Sequence, residues 1–176
     1  MTAIVDGSLG FTAPVGAVYN GLQTGTTQTV SGVTAANFTS IPSWVKRITI
    51  QISNTSQAST SPYLAVRIGS GSYDSSGYLS ILTTGQTSTI ATTSATTSFF
   101  IANPGSTSSA YAGNIVLTNI SGTNTWLLSG LTASNADNRT SISSGGRTTT
   151  GVLDRVQILC SDGTTTFSGT INIIYE

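Results

Sequence analysis

The chain has no histidine, a single cysteine, and only six basic and six acidic residues among its 176 positions. Without histidine, neither a Ser-His-Asp nor a Cys-His nucleophile can be assembled, and the commonest metal ligand is missing. One cysteine adds nothing toward a zinc site, so neither a metal nor a cofactor is expected, and no residue is assigned as catalytic. Cys160 has no intrachain disulfide partner, and its place in Val-Gln-Ile-Leu-Cys-Ser at 156–161 predicts a small buried core residue.

Charge is as scarce as chemistry. Residues 7–45 and 75–136 carry none at all. Binding a phosphate backbone depends on clustered Lys and Arg, and here only Lys46 and Arg47 adjoin, which reads as a solvated strand edge; no nucleic-acid partner is expected. A net charge of zero removes the self-repulsion that keeps monomers apart, a composition better suited to assembly than to a free monomer. No window offers the roughly 20 apolar residues that span a bilayer, so no membrane insertion is expected. The first cation is Lys46, so the secretory pattern of an N-terminal cation and an apolar run is not met, and synthesis in the cytosol is expected.

What the chain does have is Thr and Ser, about a third of its residues, arranged around apolar positions of period two. Ile48, Ile50 and Ile52 alternate with Thr49 and Gln51; Leu64, Val66 and Ile68 with Ala65 and Arg67; Ile171, Ile173 and Tyr175 with Asn172 and Ile174. That alternation is the mark of half-buried strands. Further strands are predicted at 28–33, 78–82, 98–102, 113–120, 125–131 and 153–159. Turns are predicted at 54–62, 69–77, 103–109, 121–124, 143–150 and 161–163. Many short strands at this spacing, without a helical apolar stripe, predict an all-β sandwich or barrel of one domain.

The first 32 residues differ in texture. Ile4, Val5, Leu9, Phe11, Val15, Val18 and Leu22 are spaced irregularly among Gly and Pro, which predicts an extended arm at 1–32 that docks on another chain, preceding a sandwich domain at 33–176.

Two kinds of site remain. Glycoside hydrolysis needs a carboxylate pair, and the acids are Asp6, Asp74, Asp137, Asp154, Asp162 and Glu176. Asp154 beside Arg155 reads as an ion pair, and Asp162 before Gly163 as hairpin chemistry; Asp74 and Asp137 would have to meet across the fold. No enzyme is predicted. A binding surface is the other kind. Tyr73, Asp74, Tyr78, Tyr111, Asn135, Asp137, Asn138, Arg139 and Arg147 lie in or beside predicted loops, and such side chains stack on and hydrogen-bond sugars or peptides. Trp44 and Trp126, flanked by strand residues, read as core or interface anchors.

One set of landmarks is more specific. Ile-Pro-Ser-Trp-Val-Lys-Arg-Ile-Thr-Ile at 41–50, Arg-Ile-Gly-Ser-Gly at 67–71, Ser-Gly-Tyr at 76–78, Ile-Val-Leu at 115–117, Asn-Thr-Trp at 124–126, Leu-Asp-Arg at 153–155 and the closing Thr-Ile-Asn-Ile-Ile-Tyr-Glu at 170–176 occur in order. Together they resemble the C-terminal domain of bacteriophage and prophage tail-fibre-like virion proteins, over residues 28–176. The resemblance implies a jelly-roll-like β-sandwich, a homotrimer, and display on a virion surface after synthesis in the host cytoplasm. It implies partners of three kinds: copies of the chain itself, a phage tail or capsid protein reached through the arm, and a host surface glycan. The expected role is the host-recognition knob of a short tail fibre or spike; the alternative is a capsid decoration or head-fibre protein docked on the major capsid protein. The chain departs from the pattern at Phe-Ser-Gly 167–169, which lacks an acidic residue, and at Cys160-Ser161.

Overall fold

The computed structural model describes the backbone of residues 4–6 and 10–12 and the whole of residues 21–176. It is all-β, with no helix among the described residues. The strands are β1 (Ile4–Asp6), β2 (Gly10–Thr12), β3 (Gln23–Thr24), β4 (Gln28–Val33), β5 (Ala35–Thr39), β6 (Arg47–Gln57), β7 (Leu64–Ser70), β8 (Ser72–Tyr73), β9 (Leu79–Gln86), β10 (Thr89–Ala95), β11 (Phe99–Ala102), β12 (Tyr111–Asn119), β13 (Thr125–Ser134), β14 (Arg139–Thr148), β15 (Arg155–Cys160) and β16 (Phe167–Tyr175).

Two sheets face one another. The larger runs β10-β9-β14-β13-β12-β6-β16-β3, with β4 also on β16; the smaller runs β11-β7-β15-β5, with β8 on β7. β1 and β2 form a separate hairpin. Each predicted alternation puts its apolar members between the sheets. Ile48, Ile50, Ile52, Ile115, Leu117, Ile171 and Ile173 come from the large sheet and Leu64, Val66, Ile68, Phe99, Val156 and Ile158 from the small one, all essentially without solvent contact. Burial of each such side chain contributes roughly 1.5–3 kcal/mol. Cys160 is fully buried among them, and its sulfur accepts a hydrogen bond from Gln57 Nε2 at 3.2 Å.

Three departures from the expectations have physical causes. The predicted turn at 143–150 is mostly the second half of β14, hydrogen-bonded to β13 on one side and β9 on the other. Its glycines are packing residues: a Cβ on Gly145 would lie 2.1 Å from the Leu79 carbonyl oxygen and 3.1 Å from the Phe99 ring. The predicted turn at 54–62 begins late, because β6 runs on to Gln57 through a bulge. Asn54 adopts a φ of 51°, Gly169 across from it a φ of 150°, and the register slips against both β12 and β16. Part of the segment expected as an arm, 1–32, belongs to the large sheet. β3 and β4 pair with β16, and Val30 and Val33 pack against the core, since the open edge of β16 offers backbone partners to whatever follows. Leu22 is 68% exposed. Of the other expected docking residues, Leu9, Val15 and Val18 lie outside the described residues, and Ile4, Val5 and Phe11 fall on β1 and β2, whose backbone alone is described.

Candidate functional site

The nine expected binding residues do not form one surface. β14 separates them, with Arg147 at one end of the strand and Arg139 at the other, eight residues and roughly 27 Å apart. Both arginines have the inward-facing parity of Ser141 and Ser143, so each folds over an end of the sandwich.

At the first end Arg147 Nε donates to Asp74 Oδ2 at 2.8 Å, and its guanidinium carbon lies 5.5 Å from the Tyr78 ring centre. Tyr78, expected in a ligand-binding loop, is instead a core residue with 3% exposure. Its ring meets Phe99 edge-on, its hydroxyl receives the Ile68 N–H at 3.0 Å, and it faces the Ile68 and Asp74 carbonyls as acceptors at 3.2 and 3.1 Å. Burial pushes its phenol up to about 12. Gly77 makes room for this arrangement: its φ is +75°, and a Cβ there would lie 2.2 Å from Arg147 Nη1.

Tyr73, half-buried beside this group, is 5.6 Å from the Arg155 guanidinium, and burial raises its phenol although Arg155 acts the other way. Arg155 grips Asp154 with two hydrogen bonds, of 2.7 and 3.1 Å, as the sequence predicted for this neighbouring pair. The Asp154 carboxyl also accepts the Gly71 N–H, and it is held below the usual carboxylate range first by the hydrogen bond from Arg155. Both arginines of the group are thus paired with carboxylates, while the buried Tyr73 hydroxyl has no hydrogen-bond partner among the described residues.

At the second end Asp137 accepts from the Ser109 hydroxyl and from the Gly105 N–H, while Arg139 Nη1 donates to the Asn103 carbonyl at 2.9 Å. Tyr111 donates to the same carbonyl and is 1% exposed, so it too is a core residue and not a loop aromatic; burial raises its phenol. Asn135 and Asn138 are exposed, with Asn138 in left-handed backbone at φ 47° closing the β13–β14 turn. An open depression of about 440 Å³ gathers Asn135, Asn138 and Arg139 over Ala110 and Ala112. The Arg139 Nε–H is buried there with no hydrogen-bond partner among the described residues.

Asp74 and Asp137 therefore lie near opposite ends of β14, well beyond the roughly 5–9.5 Å between the carboxyls of a glycosidase pair. Among the described residues no group of three His, Cys, Asp or Glu converges as metal ligands.

The sequence reading missed a groove of about 340 Å³ at the open edge between the sheets, lined by Thr24, Gln28, Asn37, Thr39, Ile173 and Tyr175. Trp44 stands beside it, 6.1 Å from the Tyr175 ring centre, while Trp126 is buried in the core. No local pattern links residues so far apart in the chain.

A comparison with protein-family models, curated proteins and solved structures finds no match to this chain.

Proposed function

We propose that the chain is a structural protein of a bacteriophage virion surface, acting as the host-recognition knob of a short tail fibre or spike. The observation that carries this reading is the depression at the second end. The exposed Asn135 and Asn138 are presented there by the turn that joins β13 to β14, beside Arg139, with no carboxylate among the lining residues. Neutral amides on a short turn held between two paired strands suit the hydroxyls of a surface glycan.

Several of the landmarks that carry the domain resemblance meet in the fold. The Ile41 N–H reaches the Asp154 carbonyl, the Lys46 and Arg47 N–H groups reach the Glu176 carbonyl, and the Asp154 carboxylate accepts from Gly71. Segments 41–47, 69–71, 153–155 and 176 are thereby tied to one another.

The test is immunogold labelling of intact phage particles from the strain that encodes the chain, with an antibody raised to residues 33–176. Gold on the tail is the expected result. Gold over the head replaces the knob reading with capsid decoration, and unlabelled particles overturn both.

A further inference from the structure

The outer face of the large sheet, which contributes nothing to the core or to either end cluster, is the most anomalous surface of the molecule. Leu79, Ile81, Ile90, Leu127, Leu131 and Ile142 are 37–78% exposed, and all of them point outward from β10, β9, β14 and β13. No outward position on these four strands or on the neighbouring β12 carries a charge. A monomer in water gains nothing from such a face, and an uncharged, unprotected sheet surface of this extent is a liability unless it is covered.

We infer that this face is covered by a second copy of the chain. The proposal goes beyond the virion role: a face that packs on its own copy closes at two chains, so this contact is two-fold and stands apart from the three-fold assembly that the resemblance implies. The occupant must itself be uncharged, since any ion facing this surface would be stripped of water without a partner; the same face on another copy meets that condition. The face is uneven: Leu131 stands directly opposite Ile142 as a ridge, while the small side chains of Ser144 and Ser129, side by side next to Ile81, leave a lower row beside it. Sheets pack in this way at about 10 Å separation.

The dimensions also suit. Five strands at about 4.8 Å spacing and seven residues at about 3.4 Å give roughly 600 Å² in projection. With side-chain relief this approaches the roughly 800 Å² per partner of a stable interface. The face has a polar border, as interfaces do: Asn114, Gln51 and Asn172 lie side by side across β12, β6 and β16, and the Arg47–Glu176 ion pair lies beyond them.

Sedimentation velocity of the full chain, with no virion present, tests this. Wild type is expected to associate reversibly. The double variant Leu131→Lys with Ile142→Glu, whose new charges sit opposite one another on exposed positions and so leave the sheet paired, is expected to lose the associated species while keeping its β-sheet circular dichroism. Val152→Lys, at an equally exposed aliphatic away from this face, is expected to behave as wild type. Ser129→Cys supplies a check on a fold that stays intact: a thiol-reactive bifunctional linker that spans about 10 Å is expected to join two copies through it, the native Cys160 being buried. A monomeric wild type, or a double variant that associates as well as wild type, overturns the proposal. Either result is independent of whether gold labels a particle, so the two readings fail separately.

Discussion

Arg147 and Asp74 are 73 positions apart in sequence and 2.8 Å apart in space, with side chains only 17% and 10% exposed. The pair clamps the strand end of β14 onto the loop after β8 and closes over the Tyr78 ring. An ion pair this far from water is costly to break, because the survivor stays buried without a partner.

Arg147→Ala is therefore expected to destabilise the fold by about 2–4 kcal/mol. In a chain of this length each kcal/mol moves the melting temperature by roughly 2–4 °C. Arg147→Lys retains the charge but not the planar contact with Tyr78, and its loss is expected to be smaller. Thermal denaturation followed by circular dichroism measures both; an unchanged melting point in Arg147→Ala means that the clamp contributes nothing.

Tyr78→Phe keeps the edge-on contact with Phe99 and removes only the hydroxyl. The Ile68 N–H then loses its 3.0 Å acceptor in a dry environment, at a cost of about 1–3 kcal/mol. Urea titration is expected to show a lower midpoint with an unchanged slope.

Asp162 supplies a pH dependence. Partial burial opposes its ionisation, but the Thr165 hydroxyl and the Thr165 and Thr164 N–H groups outweigh that and bring the carboxyl down from 3.8 to about 2. The folded state thus favours the carboxylate. Its contribution is fully present above the unfolded value and is lost as pH falls from about 4 to about 2. Unfolding free energies measured through that window are expected to fall less steeply in Asp162→Asn than in wild type; parallel curves would remove the assignment.

Cys160 is expected to be inert in the native protein. Burial raises its thiol to about 11, so the reactive thiolate is scarce at neutral pH as well as inaccessible. A chromogenic disulfide reagent should label it only after addition of denaturant. Fast labelling of the folded chain would show that the β15–β16 end opens.

The reading of individual strands was local and largely legible. The alternation at 48–52, 64–68 and 171–175 reports which side chains leave water, because a strand's side chains take opposite faces in turn wherever it pairs. The same holds for the Asp154–Arg155 pair, whose members are adjacent, and for the Asp162-Gly163 turn, where Gly163 takes a φ of +72° and Asp162 accepts from the Thr164 and Thr165 amides.

Tertiary structure decided the rest. Tyr78 and Tyr111 look like loop aromatics by their Ser, Gly and Ala neighbours, yet both are buried, because their rings fill the ends of the core and backbone carbonyls reach their hydroxyls. Ser143 to Arg147 carry the composition of a turn and form a strand because β9 and β13 pair with both edges. Asp74 and Asp137 are separated for the same reason: Asp74 pairs with Arg147 at one end of β14, and Asp137 lies in the turn that precedes the other end. Composition and period describe what a segment can do beside its neighbours in sequence. Register, and therefore which side chains meet or are left facing water, is set by strands far away in the chain, and no local pattern encodes it.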